Sequence, residues 1–108
     1  MKVSSFVSYF LAGIFLKNSI PHLLIFLTGR RNITPFDKDS SPLANLLWSG
    51  MNAASGYLLF RFADSQIKGD RTDSKVWQFP YEAGQLALSV FGALYSWFTT
   101  RQEFRKDQ

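Results

Sequence analysis

The stretch Lys17-Asn18-Ser19-Ile20-Pro21-His22 lies inside an apolar run from Phe6 to Leu27 and decides how that run folds. As one α-helix, the run through Thr28 would be about 35 Å long, enough to cross a bilayer with some tilt. Lys17 near its middle costs roughly 2.5–3.5 kcal/mol on membrane-insertion scales, and Pro21 removes a helical hydrogen bond. The run therefore predicts a membrane span that is kinked or broken near Asn18–Pro21.

Two interpretations of this interruption remain open. In the first, one helix kinks near Pro21, and the Lys17 side chain faces other helices or extends its amine toward the membrane surface. In the second, the span ends at Lys17, and a fourth short helix begins near Ser19–Pro21 and runs to Thr28. We favour a single segment, kinked or broken.

The whole chain predicts an all-α integral membrane bundle of three transmembrane helices in a single membrane domain. The predicted spans are 3–28, 42–63 and 81–100, the polar loops are 29–41 and 64–79, and a charged tail covers 101–108. Gly29 is expected to end the first helix, and Ser40 or Ser41 to cap the second, with Pro42 at its first position. Glu82 is expected in the first turn of the third helix, and 69–74 as a mobile loop.

Small and polar residues recur at helical spacing in the second and third blocks. Asn45, Ser49, Asn52 and Gly56 are spaced 4, 3 and 4 apart, and Gln85, Ser89, Gly92, Ser96 and Thr99 are spaced 4, 3, 4 and 3 apart. Amides facing lipid would lack hydrogen-bond partners, so we expect both stripes to converge with His22 between the helices. The candidate binding residues of this interhelical seam are Lys17, Asn18, His22, Asn45, Trp48, Ser49, Asn52, Gln85, Ser89 and Ser96.

Catalytic chemistry finds little support in the sequence. The chain has no cysteine, which excludes disulfides and thiolate ligands, and His22 is its one histidine. His22 suits a structural hydrogen bond better than a proton relay, a metal or haem ligand, or a headgroup donor. Lys17 is as compatible with an interfacial anchor as with a transport path. We expect no enzyme, catalytic residue, metal site or cofactor.

The basic residues cluster at the ends of the apolar blocks, which favours contact with the lipid bilayer over nucleic acid. With three spans, one side carries Lys2, Arg61, Lys68, Arg71 and Lys75. The other carries Arg30, Arg31, Lys38, Arg101, Arg105 and Lys106, and Lys17 as well if it is interfacial. The three spans predict a multi-pass protein of the cell membrane. The small excess of Lys and Arg on the second side predicts that the N-terminus lies outside and the C-terminus in the cytoplasm.

An ordered set of short elements covers about half of the chain. It consists of Asn18-Ser19-Ile20-Pro21-His22, Gly29, Pro35-Phe36, Ser40-Ser41-Pro42-x-x-Asn45-x-x-Trp48, Asn52 and Gly56-Tyr57-Leu58. This set resembles a family of small, uncharacterised bacterial integral membrane proteins. Ser49 departs from the family pattern, in which Gly follows the Trp. The resemblance implies a membrane location and singles out Pro21, His22, Asn45, Trp48 and Asn52, but it implies no reaction.

The sequence therefore favours a structural or accessory membrane protein. It is expected to act through helix–helix association with itself, as a homo-oligomer, or with a larger membrane complex. The alternative is a small oligomeric transporter or channel, with a polar path that involves Lys17, His22, Asn45 and Asn52.

Overall fold

A computed structural model describes residues 1–34, 37–67 and 75–106, with the backbone alone at 32–33, 37–38 and 101–106. Helix α1 spans Val3–Leu27, α2 spans Pro42–Gln66 and α3 spans Gln78–Lys106. Between α1 and α2, strands β1 (Asn32–Thr34) and β2 (Asp37–Ser40) pair antiparallel, with an irregularity between Asn32 and Thr34. The predicted all-α class is confirmed, apart from this two-stranded sheet in the first polar loop, which the sequence did not predict.

Helix α1 runs unbroken through the Lys17–His22 stretch. Of the two open interpretations, the one with a separate fourth helix is therefore wrong for the described residues, and α1 is one continuous segment as in the first. Pro21 has no N–H, but nearby serines add hydrogen bonds to this turn. The Ser19 hydroxyl donates to the Leu16 carbonyl at 2.7 Å, and the Ser49 hydroxyl of α2 donates to the Ser19 carbonyl at 2.7 Å.

The C-terminal end of α1 and the start of α2 are capped by the residues that the sequence indicates. Gly29 adopts a φ of 68°, where its N–H donates to the Phe26 carbonyl and the Arg30 N–H donates to the Ile25 carbonyl. These paired bonds form a Schellman motif, which needs a left-handed residue after the helix. At α2, the Ser41 hydroxyl accepts from the Ala44 N–H at 3.2 Å, and Pro42 is the first helical residue.

Several predicted boundaries need correction. Helix α2 continues to Gln66, beyond the predicted end at 63, and α3 extends to both sides of the predicted 81–100 span. Because α3 begins at Gln78, Glu82 lies beyond its first turn, and no acidic residue occupies that turn. The predicted charged tail is helical as far as Lys106. The loop at 69–74 that is predicted to be mobile lies outside the described residues.

Helix α1 packs against both other helices: α2 runs antiparallel to it, and α3 also meets α2 where the Phe60 and Tyr81 rings are in contact. Helix α3 approaches α1 through two glycines. A Cβ on Gly13 would collide with the Tyr81 carbonyl oxygen, and one on Gly84 would collide with the Phe10 carbonyl oxygen. Small residues allow such close backbone approach between helices. At Gly92, by contrast, a Cβ would meet nothing within 4 Å, so the expected close packing of the α3 stripe is wrong there.

The burial pattern is inverted relative to a water-soluble domain. Among the described residues, the buried polar ones are Ser5, Ser8, His22, Thr34, Ser40, Asn45, Ser49 and Asn52, whereas the buried apolar core consists of Tyr9, Ala12, Ala63 and Ile67. Large apolar side chains cover the outside of all three helices, among them Leu23, Leu24, Leu43, Leu47, Met51, Leu58, Phe62, Leu86, Val90 and Leu94. Soluble monomers rarely expose apolar patches larger than a few hundred Å².

One helix, α1, is long and apolar enough to cross a membrane, as judged from length and composition. Only 11% of its most apolar window is buried, whereas the core helix of a soluble protein is mostly buried. A signal sequence near an N-terminus would satisfy the same criterion. Over the described residues, α2 and α3 do not meet this criterion of length and hydropathy. Both carry amides and hydroxyls that lower their mean hydropathy.

Candidate binding site

Polar contacts join α1 to α2 along most of their shared length. Near the start of α1, the Ser5 hydroxyl donates to Gln66 Oε1 at 2.8 Å and the Tyr9 hydroxyl donates to Asp64 Oδ1 at 2.6 Å. The fully buried Tyr9 ring also packs edge-on against Phe60, with ring centroids 5.1 Å apart. These contacts fix the antiparallel register at one end of the helix pair.

The middle of the pair is held by amides. The Asn18 Nδ2 group donates to Asn52 Oδ1 at 3.2 Å, and the Asn52 Nδ2 group donates to the Trp48 carbonyl at 2.8 Å. Each amide therefore has a partner away from water, which removes most of the cost of burying it. Gly56 lies against the Leu16 side chain, so this part of the stripe allows close packing rather than hydrogen bonding.

His22 and Asn45 form the most buried contact of the seam. Asn45 Nδ2 donates to the Ser40 carbonyl at 3.2 Å and to the Ser41 carbonyl at 3.0 Å, so its Oδ1 atom must be the acceptor toward His22. His22 Nδ1, 2.7 Å from that oxygen, therefore carries a proton and donates it. The Trp48 ring is edge-on to the imidazole at 6.4 Å. The His22 ring is thus fixed in orientation, with Nε2 as its second polar atom.

A cavity of about 660 Å³ lies beside the second half of α1. Lys17, Asn18, Pro21 and His22 form its α1 wall, and Thr34 and Trp48 lie on the side of the strands and α2. The wall from α3 consists of Leu88, Ser89, Phe91, Gly92, Tyr95 and Ser96. This volume is within the range of about 300–1,000 Å³ that small-molecule sites occupy.

The candidate residues predicted from the sequence fall into three groups. Asn45, Ser49 and Asn52 are buried between α1 and α2, and their side chains are hydrogen-bonded there. Lys17, Asn18, His22, Trp48, Ser89 and Ser96 line the cavity. Gln85 is half-buried where α3 passes Gly13. The expected convergence therefore joins α1 to α2, while the α3 stripe faces the cavity or solvent.

One of the two serine hydroxyls on the α3 wall is engaged within its own helix. The Ser89 hydroxyl donates to the Gln85 carbonyl at 3.0 Å, whereas within the described part of the chain the structure shows no such bond for the Ser96 hydroxyl. Serine and threonine in helices often satisfy themselves in this way. The α3 wall therefore presents chiefly the apolar surface of Leu88, Phe91 and Tyr95, and the polar groups are concentrated on the α1 wall.

Sequence reasoning missed the outer part of the seam and the glycines under α3. Ser5, Ser8, Tyr9, Ala12 and Gly13 are all buried and follow one another at intervals of three, one, three and one residues. That spacing marks one face of α1, made of small residues and Tyr9, and the pattern is visible in the sequence. Asp64 and Gln66 gave no such signal, because they belong to a region whose composition resembles a loop.

Among the described residues, no group of three His, Asp or Glu side chains lies close enough to hold a metal ion. Comparison with protein-family models, curated proteins and solved structures gave no match. The resemblance to a bacterial membrane protein family therefore stays a prediction. What the arrangement itself offers is a rigid polar wall facing an apolar one, which suits binding.

The His22–Asn45 contact should be energetically coupled. Replacing either residue with alanine leaves the buried polar groups of its partner unpaired. The double variant should therefore lose less unfolding free energy than the sum of the losses of the two single variants. Hydrogen bonds between membrane helices suggest a coupling of about 0.6–1.7 kcal/mol. The measurement is a double-mutant cycle of unfolding free energies in detergent. As control, Ser65→Ala, which removes an exposed hydroxyl bonded within its own helix, should be additive with His22→Ala. Additive losses for His22→Ala and Asn45→Ala would contradict the coupling.

Proposed function

We propose that this chain is a small integral membrane protein whose three helices all cross the bilayer. In this proposal it serves as a structural or accessory component, through helix–helix association with itself or with a larger membrane complex. The observation that supports this most is the inverted burial pattern, with amides and hydroxyls inside and large apolar side chains outside. Water would oppose that arrangement, whereas lipid favours it because polar groups then pair between helices.

The dimensions of the apolar surface support a span by α2 as well as by α1. The exposed apolar side chains of α2 run from Leu43 to Phe62. At about 1.5 Å per residue they cover about 28 Å, close to the thickness of the hydrocarbon core of a bilayer. The exposed Arg61 stands at one end of this band, and Ser41 and Pro42 begin the helix at the other. Asn45, Ser49 and Asn52, which lower the hydropathy of α2, lie against α1.

The exposed half of α3 supports association. Residues 89–98 are all exposed, and Leu86, Val90, Leu94 and Trp97 recur at helical spacing without lining the cavity. Helices α1 and α2 shield each other, whereas this part of α3 contributes apolar surface with no described residue packed over it. We infer that this outward face of α3 is where another helix packs.

The transporter alternative finds less support. Of its four path residues, Lys17 and His22 line the cavity. The Asn45 and Asn52 side chains are buried and hydrogen-bonded between α1 and α2. A path through them would have to break these contacts.

The topology can be tested by thiol labelling, because the natural chain has no cysteine. We expect Lys2→Cys and Lys75→Cys to react with a membrane-impermeant maleimide on intact cells. Arg30→Cys should react only after the membrane is opened, since three spans place it on the opposite side. Equal reactivity of Arg30→Cys and Lys75→Cys in intact cells would mean that α2 does not cross.

Association through α3 can be tested by oxidative cross-linking in membranes. Leu94→Cys should give a disulfide-linked dimer on oxidation or, if α3 packs on a larger complex, an adduct of higher mass with a cross-linker that joins its thiol to a partner amine. Leu47→Cys is a matched control on α2, because the two leucines are 53% and 58% exposed. It should remain monomeric under the same conditions. Equal products from both variants, or none from Leu94→Cys, would contradict association through α3.

A further inference from the structure

We propose that the cavity beside α1 binds a carboxylate-headed amphiphile, such as a single-chain fatty acid. In this complex the carboxylate lies at Lys17 and His22, and the apolar chain lies against α3. The inference rests on the proposed membrane location of the helices, because the argument from depth requires it. The inference assigns a ligand class to the cavity. Association through the outward face of α3 does not require any ligand there.

The charge of the cavity points to an anion. Lys17 is exposed and lines the cavity, and none of the described residues that line it carries a carboxylate. Within the described ranges, no carboxylate forms an ion pair with Lys17. A lone ammonium group in an apolar setting is costly, and an opposite charge nearby relieves that cost.

His22 supplies a second polar contact. Its Nδ1–H is already donated to Asn45, and the ring has no other hydrogen bond. The described residues contain no buried side-chain nitrogen or oxygen without a partner, so Nε2 must be accessible, and His22 lines the cavity. Nε2 accepts a hydrogen bond from a protonated acid when the ring is neutral, and it donates one to a carboxylate when the ring is charged. An acid headgroup fits the ring in both states.

The opposite wall suits a chain or ring rather than a second polar group. Leu88, Phe91 and Tyr95 present apolar surface, and the Ser89 hydroxyl is engaged with Gln85. Gly92 leaves open space at this wall, since a Cβ there would meet nothing within 4 Å. Polar groups on α1 and apolar groups on α3 match the two ends of an amphiphile.

The depth of Lys17 favours a carboxylic acid over a phosphate headgroup. The neighbouring Asn18 is bonded to Asn52, which lies midway along the apolar band from Leu43 to Phe62. Lys17 is therefore near the middle of the hydrocarbon core. A carboxylic acid can reach this depth as a neutral molecule, lose its proton to water through the open side of the cavity, and leave its carboxylate beside the Lys17 ammonium group. The phosphodiester of a bilayer lipid remains charged and stays at the surface.

The probe for the test is parinaric acid, a fluorescent fatty acid, added to the purified protein in nanodiscs made of uncharged phospholipid. We expect saturable binding with one site per chain, seen as quenching of tryptophan fluorescence, because Trp48 lines the cavity. Lys17→Gln should weaken binding at least tenfold, and Lys17→Arg, which keeps the charge, should remain within about threefold of the natural chain. Lys75→Gln removes an exposed cation away from the cavity and should change nothing.

A second pair of variants tests the cavity without altering charge. Gly92→Leu should abolish binding, because its side chain enters the open space, while the helical circular dichroism spectrum stays unchanged. Gly50→Leu is the matched control, since Gly50 is also in a helix with nothing within 4 Å of a Cβ but does not line the cavity. It should bind as the natural chain does.

Competition identifies the headgroup. Unlabelled fatty acid should displace the probe, whereas its methyl ester and a single-chain phosphate amphiphile should be at least tenfold weaker. Equal competition by the ester, stronger competition by the phosphate, or full binding by Lys17→Gln or Gly92→Leu would overturn the proposal. The thiol-labelling pattern is independent of these titrations. If labelling shows three spans but the probe does not bind saturably, only the proposed ligand is rejected. If the probe binds but labelling shows a single span, only the proposal of three membrane-crossing helices is rejected.

Discussion

The structure depends on one constraint, that amides buried between α1 and α2 must find hydrogen-bond partners across the interface. Asn18 with Asn52 and His22 with Asn45 meet this requirement in a single register. Sliding α2 by one residue would separate both pairs and turn the stripe away from α1. An unpaired buried polar group costs about 1–3 kcal/mol, so these contacts define the alignment more sharply than the apolar surfaces do.

Helix α3 is attached by a different kind of contact, and this difference creates the cavity. Gly13 and Gly84 bring the backbones of α1 and α3 together near the start of α3, beside the Phe60, Trp77 and Tyr81 rings. The part of the chain that the structure describes makes no comparable contact near Gly92, where α3 is exposed. The Lys17–His22 wall is left facing the far half of α3. A helix held at one end thus provides both the cavity and an outward apolar face.

The elements predicted well from the sequence are those set by local chemistry. Ser41, Pro42 and Gly29 mark helix ends because their effects act within one turn. The 4, 3, 4 stripe from Asn45 to Gly56 predicted a buried face, since its polarity contrasts with the leucines around it. The sequence leaves the continuity of α1 at Pro21 open between two interpretations, because proline weakens a helix locally and the contact of the Ser49 hydroxyl with the Ser19 carbonyl is not visible in the sequence. The sequence also does not predict that α3 approaches α1 at Gly84 and not at Gly92. Both glycines have similar neighbours along the chain, and they differ only in their distance from α1.

The central claim is that α2 lies in lipid with its polar stripe turned inward, and site-directed spin labelling tests it most directly. Nitroxides attached at Leu43, Leu47, Met51 and Leu58 report collisions with dissolved oxygen, which concentrates in lipid, and with a water-soluble nickel complex. We predict that oxygen collisions dominate at all four positions and most strongly at Met51, whereas a label at Lys75 meets mainly nickel. Nickel accessibility at Met51 equal to that at Lys75 would place α2 in water and contradict the account.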